Sequence, residues 1–195
     1  SLADKEGRPV RLTGGTATVL DGEARIGGAV FYSDVGNAIQ SVVLVPGTSQ
    51  FQNIGKTTYY GFEVSGEWDI LPNLTVGGHY TLLKSRLSDP GRPDLKPVGR
   101  PEHVAYLYAH WSPVEKLTIT PSVELSSHRW SSTTNELNFF RVPGFGLVNV
   151  NMEYKFNEQT SLSAGVRNVF DKHYELADGF PEPGRSFYVN TRFTF

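Results

Sequence analysis

The chain has 195 residues, with 18 Lys plus Arg, 20 Asp plus Glu and a formal net charge of −2, so it lacks the basic excess expected of a nucleic-acid-binding protein. The absence of cysteine excludes disulfides, thiolate metal sites and cysteine nucleophiles. No apolar run approaches the ~18 residues of a transmembrane helix, and an aromatic content of 12% with 20 glycines favours an all-β fold.

Alternating apolar and polar residues predict about nine β-strands along the whole chain. The alternation is clearest in residues 147–156, where Val148, Val150 and Met152 alternate with Asn149 and Asn151. In chain order, the predicted strands are residues 8–19, 24–44, 55–70, 74–87, 102–112, 117–131, 141–156, 160–170 and 185–195.

The connections between these strands alternate between two sizes. Short ones fall at residues 20–23, 71–73, 112–116 and 157–159, and long ones at 46–54, 88–101, 131–144 and 171–184. Short and long connections therefore lie at opposite ends of an antiparallel sheet, as do the periplasmic turns and extracellular loops of an outer-membrane barrel. A soluble β-sandwich is the alternative interpretation.

Aromatic residues recur near both kinds of connection, which is typical of the two aromatic belts of a membrane protein. The predicted membrane-interface residues are Trp68, Trp111 and Tyr154 near short turns, and Trp130 and Tyr174 near long loops.

An odd number of strands places the two chain ends on opposite sides of the membrane, whereas a barrel with both termini in the periplasm needs an even number. An open sheet in lipid would also leave unpaired edge groups. We therefore expect residues 1–195 to be the C-terminal part of a larger barrel.

The segment NVFDKHYELADGFPEPGRSFYVNTRFTF, residues 168–195, resembles the C-terminal end of TonB-dependent outer-membrane receptors of Gram-negative bacteria. Residues 29–43 and 53–70 are similar to the neighbouring strands of that family. The resemblance implies a barrel of about 22 strands with a plugged lumen. It also implies TonB-dependent, energy-coupled import of a scarce ligand such as a ferric siderophore, haem or cobalamin.

By the same resemblance, the N-terminal plug domain lies outside these residues, and this part of the receptor is not transport-competent alone. The implied partners are outer-membrane lipid and lipopolysaccharide, the upstream barrel strands and plug, TonB through that plug, and the outer-membrane assembly machinery. The C-terminal strand resembles the signal read by that machinery, with alternating residues Phe187, Val189, Thr191, Phe193 and Phe195.

Candidate ligand-binding residues lie in the long connections. Guanidinium groups pair with carboxylate and phosphate groups in a bidentate fork, so loop arginines suit an anionic ligand. A pair of phenylalanines in a polar loop either packs on another loop or contacts a ligand. The candidates are Arg100, His128, Arg129, Phe139, Phe140, Arg141 and Arg185.

The sequence offers no catalytic motif and no cofactor-binding motif. The five histidines form no close pair, so no metal ligands are predicted. Two other functions remain as alternatives to a transport receptor. One is a small autonomous outer-membrane barrel with a hydrolase site in its loops, and the other is a small barrel with an adhesive or structural role.

Overall fold

The computed structural model describes residues 11–20, 23–45, 48–88, 96–132 and 139–194. Thirteen β-strands occur in these ranges: β1 (Arg11–Val19), β2 (Ala24–Val45), β3 (Thr48–Leu71), β4 (Leu74–Ser88), β5 (His103–Val114), β6 (Leu117–Ser126), β7 (Arg129–Ser132), β8 (Phe139–Val142), β9 (Phe145–Lys155), β10 (Thr160–Arg167), β11 (Glu175–Ala177), β12 (Phe180–Pro181) and β13 (Ser186–Phe193). Among the described residues, no helix is long and apolar enough to cross a membrane.

Nine strands form one antiparallel sheet in the order β1-β2-β3-β4-β5-β6-β9-β10-β13. Neighbours in this sheet follow one another along the chain, apart from two small inserted hairpins, β7–β8 and β11–β12. The predicted antiparallel all-β fold is therefore confirmed. Strands β1 and β13 form the two edges and do not pair with each other within the described residues, so the sheet is an open arc.

The predicted long connection at residues 46–54 is wrong, because most of it is strand. β2 and β3 stay paired as far as Val45 and Thr48. Residues 46 and 47 lie outside the described residues. Residues 48–54 contain neither proline nor glycine, so nothing in them stops the strand. This end of the sheet is the long-loop end, and the opposite end is the short-turn end.

The predicted strands 117–131 and 141–156 are each interrupted in the structure. β6 ends at Ser126, which pairs with Phe145 at the start of β9. Beyond that pair, Arg129 pairs with Val142 in the separate β7–β8 sheet. The chain thus leaves the large sheet through residues 127–128 and returns through residues 143–144. The predicted long loop at 171–184 likewise contains the small β11–β12 hairpin.

The large sheet has one apolar face and one polar face, because successive side chains of a strand point to opposite sides. The apolar face is solvent-accessible in this chain: Phe62, Val64 and Trp68 on β3 are 37%, 45% and 45% exposed. In the described part, the buried hydrophobic residues are only Ala24, Val142, Phe145 and Leu147. An exposed apolar face of this kind marks a surface that contacts a membrane or another protein.

Candidate functional site

The polar face of the large sheet carries hydrogen-bonding side chains from several neighbouring strands. Glu67 and Tyr108 are joined across β3 and β5 by a hydrogen bond from the tyrosine hydroxyl to Oε2, 2.7 Å long. On the same face, Nδ1 of His110 lies 3.0 Å from Oγ1 of Thr120. Strand alternation places all of these groups opposite the apolar residues.

Two tyrosines on this face each lie across a glycine of the neighbouring strand. Gly77 pairs with Glu67 on one side and with Tyr108 on the other. A Cβ atom on Gly77 would lie 2.6 Å from Cζ and from the hydroxyl of Tyr108. The absence of a side chain therefore lets the Tyr108 ring pass over β4 and reach Glu67 on β3. Glu67 also forms a salt bridge with Arg25 on β2.

The same arrangement recurs at the other end of the arc. Gly165 pairs with Asn151 and with Tyr188, and a Cβ atom on Gly165 would lie 2.5 Å from Cζ of Tyr188. The Tyr188 hydroxyl donates a 2.9 Å hydrogen bond to Oδ1 of Asn151, two strands away. We call each of these three-residue groups a tyrosine bridge. The two bridges are Glu67–Gly77–Tyr108 and Asn151–Gly165–Tyr188.

A cavity of about 510 Å³ lies against the polar face next to the second tyrosine bridge. Its lining combines strand side chains with the loop that follows β10, which closes it at the long-loop end. The lining residues are Tyr106, Thr120, Ser122, Glu124, Leu147, Asn149, Val150, Asn151, Arg167, Asn168, Tyr174, Glu182, Pro183, Gly184, Ser186 and Tyr188. Phenolic, amide, carboxylate and guanidinium groups therefore face one space.

The loop after β10 is fixed by two side chains with left-handed backbone conformations. Asn168 (φ 52°) is only 3% exposed, and its side chain accepts from Lys172 N and donates to Lys172 O, both at 2.8 Å. Asp171 (φ 55°) accepts a 2.7 Å hydrogen bond from Arg185 N. A Cβ atom on Gly184 would lie 2.5 Å from that carboxylate, so the turn requires glycine there.

The loops at the long-loop end pack on one another around Trp130. The ring of Trp130 lies 5.5 Å from Nζ of Lys96 and 5.0 Å from Cζ of Arg141, both within cation–π range. Its carbonyl accepts a hydrogen bond from Gly99 N at 2.8 Å. Ser131 Oγ accepts a hydrogen bond from Asp178 N at 3.1 Å, which joins this hairpin to the loop after β10.

Arg129 is the most enclosed of the candidate ligand-binding residues. It is 8% exposed, its NH2 donates to Ser126 Oγ at 2.8 Å, and its guanidinium lies 5.5 Å from the Phe145 ring. Its Nε has no hydrogen-bond partner among the described residues. Burial lowers the pKa of Arg129 from its ordinary value, although an arginine keeps its charge at physiological pH.

Tyr174 packs on the same aromatic ring, with the Phe145 and Tyr174 centroids 4.5 Å apart. Burial raises the pKa of Tyr174, and the nearby carboxylate of Glu182 raises it further. Tyr174 is therefore a neutral phenol at the long-loop end of the cavity.

The candidate ligand-binding residues lie in the loops rather than in the cavity, whose lining contains none of them. Arg100 stacks on Tyr59 with its Cζ 4.6 Å from the ring centroid and donates a hydrogen bond to the hydroxyl. Arg129 and Arg141 lie on paired strands of the β7–β8 hairpin. Phe139 and Phe140 are half-buried on β8, whereas His128 and Arg185 are exposed. Their contact with a ligand stays a prediction.

The sequence indicated only part of the cavity wall. Alternation placed Asn149 and Asn151 on a polar face, but it gave no reason to select Tyr106 or Tyr188. The tyrosine bridges depend on which glycine lies opposite which tyrosine, and single-strand patterns do not contain the register between strands.

The predicted membrane-interface aromatics fall into two groups. Trp68, Trp111 and Tyr154 lie on strands of the large sheet and are 45%, 45% and 41% exposed. Trp130 and Tyr174 are half-buried among the loops described above. Among the described residues, no group of three or more His, Asp or Glu is placed to hold a metal ion.

The predicted assembly-signal residues lie on edge strand β13. Phe187, Val189 and Phe193 are 74%, 73% and 63% exposed on its apolar side, and Thr191 shares that side. Phe195 lies outside the described residues. The recognition of this strand by the assembly machinery stays a prediction.

Comparison with known proteins identifies relatives over most of the chain. Residues 13–169 match the family described as TonB dependent receptor-like, beta-barrel. The ferric enterobactin receptor PirA of Pseudomonas aeruginosa is 29% identical over 161 residues, covering 75% of this chain and 21% of PirA. The vitamin B12 transporter BtuB of Vibrio cholerae is 35% identical over 51 residues, covering 26% of this chain and 8% of BtuB.

The fold also matches a solved receptor structure. The pyoverdine outer membrane receptor FpvA of Pseudomonas aeruginosa PAO1 superposes with a TM-score of 0.70 at 22% identity, over 94% of this chain and 29% of FpvA. The chain thus spans less than a third of the length of each of these relatives. Because the family match covers more than half of the 195 residues, the chain belongs to the TonB-dependent receptor β-barrel family of the bacterial outer membrane.

Proposed function

We propose that this chain forms part of the barrel of a TonB-dependent receptor that imports a ferric siderophore. The observation that carries the proposal is the pairing of an exposed apolar face with a polar face, closed at one end by packed loops. Such a sheet separates lipid from a polar lumen. A protein that works in water has no need for an exposed apolar face opposite a polar one.

In this proposal, residues 1–195 supply nine strands of a larger barrel around a plug domain. Two observations support it: the edges β1 and β13 are unpaired with each other in the described part, and the chain spans 29% of FpvA. Backbone groups at an open edge are costly in lipid, so the edges need further strands. TonB then acts through the plug of the whole receptor.

The proposed ligand is a ferric siderophore because PirA, a ferric enterobactin receptor by name, is a relative that aligns with 75% of this chain. Cobalamin is the second candidate, favoured by the shorter match to the vitamin B12 transporter BtuB. The proposed role is uptake without chemistry, since these relatives are named as receptors and transporters.

The proposed ligand contacts are two groups of the cavity together with the candidate loop residues Arg100, His128, Arg129, Phe139, Phe140, Arg141 and Arg185. Arg167 and Tyr174 line the cavity and offer a fixed positive charge and a neutral phenol. Both groups suit an anionic, oxygen-rich iron chelate. Arg167 also lies 5.3 Å from the Tyr188 ring, which holds its guanidinium over the polar face.

Growth of a strain lacking the whole receptor gene tests this proposal. We expect the strain to lose growth in iron-limited medium when ferric enterobactin is the sole iron source, and to regain it when the full-length receptor is restored. Growth on a soluble iron salt is the control and should be unchanged. A strain lacking TonB should show the same loss.

Two outcomes would contradict the proposal. A defect confined to cobalamin-dependent growth would favour the second candidate, and normal growth under both conditions would show that the ligand class is wrong.

Replacing Arg167 by Gln in the full-length receptor should weaken ferric enterobactin binding by about tenfold, because one charge-assisted contact is lost.

A further inference from the structure

The wall of the cavity on the polar face contains a block of four neutral polar residues. Asn149 and Asn151 lie on the same side of β9, and the residues opposite them on β6 are Ser122 and Thr120, respectively. All four residues line the cavity. At these two levels, β6 and β9 therefore present amide and hydroxyl groups and no charge.

This block lies deeper in the barrel than the carboxylates of the cavity. Glu124 pairs with Leu147, which is closer to the start of β9 at the long-loop end. Glu182 belongs to the loop after β10, and Arg167 lies on β10 at the level of Asn149. The charged groups that line the cavity thus lie at the level of Asn149 or nearer the loops, and the deep end is neutral.

The protein fixes the orientation of both amides. Oδ1 of Asn149 accepts a 2.9 Å hydrogen bond from Asn168 N, and Oδ1 of Asn151 accepts one of 2.9 Å from the Tyr188 hydroxyl. An amide whose oxygen is held in this way turns its NH2 group to the other side. Neither of the two NH2 groups has a hydrogen-bond partner among the described residues.

Both NH2 groups are accessible. Within the described residues, Nε of Arg129 is the one buried side-chain nitrogen or oxygen without a hydrogen-bond partner, so the unpaired NH2 groups of Asn149 and Asn151 are not buried. Each group has two donor hydrogens, and a separation of two residues along a strand places the two side chains about 7 Å apart. The deep end of the cavity thus offers a pair of oriented donors, which we call the amide pair.

We propose that the amide pair binds neutral carbonyl oxygens in the scaffold of a siderophore, the part of the ligand that joins its iron-binding groups. This inference rests on the proposed function and adds which part of the ligand lies at which depth. The anionic iron-binding groups lie towards Arg167 and the loop arginines, because charge-assisted contacts are stronger than neutral ones. An ester or amide carbonyl accepts from an NH2 group and brings no charge to the neutral end.

A site of this kind selects ligands by their scaffold. A polar group that loses water on binding is costly unless the ligand supplies a hydrogen bond in return. A chelate with the same iron-binding groups on a hydrocarbon scaffold leaves both NH2 groups without water and without a partner. It therefore binds less tightly than a chelate with a carbonyl-bearing scaffold.

The test compares two ferric complexes on the full-length receptor purified in detergent. One is ferric enterobactin, whose catechol arms are joined by a ring of ester groups, and the other is a synthetic tris-catecholate with the same arms on a hydrocarbon ring. Quenching of the receptor's intrinsic fluorescence measures the equilibrium binding of each complex. The ratio of the two dissociation constants is the readout.

We expect Asn151→Asp to weaken the binding of ferric enterobactin relative to the analogue by about threefold to tenfold, the loss of one hydrogen bond. Aspartate keeps the oxygen that accepts from Tyr188 and removes the NH2 donor. Asn149→Asp should have the same effect, since it keeps the acceptor for Asn168 N. The added negative charge acts on both complexes alike, because they carry the same iron-binding groups, so the ratio isolates the lost donor.

Asn190→Asp is the matched control. Asn190 lies on the polar face of β13 outside the cavity lining, so the same substitution there should leave the ratio unchanged. Tyr188 is a positioning residue for Asn151, and Tyr188→Phe should lower the selectivity for ferric enterobactin by about twofold to threefold, because the amide is then free to turn. Heat-modifiable migration on gels shows that each variant is folded.

The outcomes separate this inference from the proposed function. If the two aspartate variants of the amide pair weaken both complexes by the same factor, the amides do not recognise the scaffold, and this inference is wrong while the proposed function stands. An equal change of the ratio in Asn190→Asp would also overturn it. If the unmodified receptor binds neither complex, the proposed function is itself wrong, and this inference fails with it.

Discussion

Two glycines of the polar face leave room for tyrosine side chains from the neighbouring strand to pass over them. Gly77 and Gly165 leave space for the rings of Tyr108 and Tyr188, whose hydroxyls then reach acceptors two strands away at 2.7 and 2.9 Å. A glycine in a strand interior is unfavourable for backbone entropy, and a covering aromatic ring offsets part of that cost. Each bridge adds a side-chain link across three strands to their backbone hydrogen bonds.

We predict that Gly165→Ala destabilises the folded receptor by about 1–2 kcal/mol, because Tyr188 must swing away from the new methyl group and lose its bond to Asn151. Gly15→Ala is the control, since no atom lies within 4 Å of a Cβ there. Unfolding in denaturant, followed by heat-modifiable migration, measures both variants.

Tyr188→Phe sharpens the same prediction. Alone it should cost about 1 kcal/mol for the lost hydrogen bond, but in the Gly165→Ala background it should cost much less, since the bond is already broken. Additive losses in the double variant would show that the tyrosine and the glycine do not act as a unit.

Residues 168–185, the first part of the segment 168–195 that carries the family resemblance, have a structural explanation at the residue scale. The Asn168 side chain closes a turn on Lys172, and Asp171 holds Arg185 N next to Gly184. Asparagine and aspartate tolerate left-handed backbone and bond to nearby backbone groups. The motif is thus explained by loop geometry, whatever the ligand.

At the scale of elements, the β7–β8 hairpin is attached to the large sheet by packing as well as by polar contacts. Arg129 lies between Ser126 and the Phe145 ring and is almost completely enclosed. Its aliphatic stem fills space that a shorter side chain would leave empty. A buried guanidinium with an unpaired Nε also loses solvation without full compensation.

We predict that Arg129→Ala loosens this hairpin by about 2 kcal/mol, because it leaves a cavity, and that limited proteolysis of the full-length receptor then cleaves faster within residues 127–144. Arg129→Met, which keeps most of the volume and removes the charge, should resist cleavage nearly as well as the unmodified receptor. If both variants are cleaved equally fast, the hydrogen bond to Ser126 is the main attachment and packing is secondary.

At the scale of the whole molecule, the two faces of the sheet predict opposite responses to charge. Val64→Lys places an ammonium group on the apolar face and should destabilise the receptor in lipid vesicles by about 2–4 kcal/mol if the position lies near the bilayer midplane. Ser65→Lys, one residue further along β3, places the same group on the polar face and should be close to neutral. Unfolding in urea from vesicles measures the difference. Equal costs at both positions would contradict the assignment of the apolar face to lipid.

The predicted strand bounds agree with the structure where a strand keeps the same neighbouring strands along its whole length. They are wrong where the pairing with a neighbouring strand ends before the alternating pattern does. Residues 74–87 were predicted as one strand, and β4 is Leu74–Ser88. Residues 117–131 were also predicted as one strand, but β6 stops at Ser126 because its neighbour β9 starts opposite that residue. Local alternation continues through the break, so no local pattern could mark it.

The amino-acid sequence by itself determined the strand alternation, the apolar and polar faces and the two ends of the sheet, because these depend only on the order of residues along each strand and turn. Only the tertiary structure decided the register that sets Tyr188 over Gly165 and the position of the cavity beside it. Those features join residues from three or four strands, and their positions follow from cross-strand hydrogen bonding and packing rather than from any one segment.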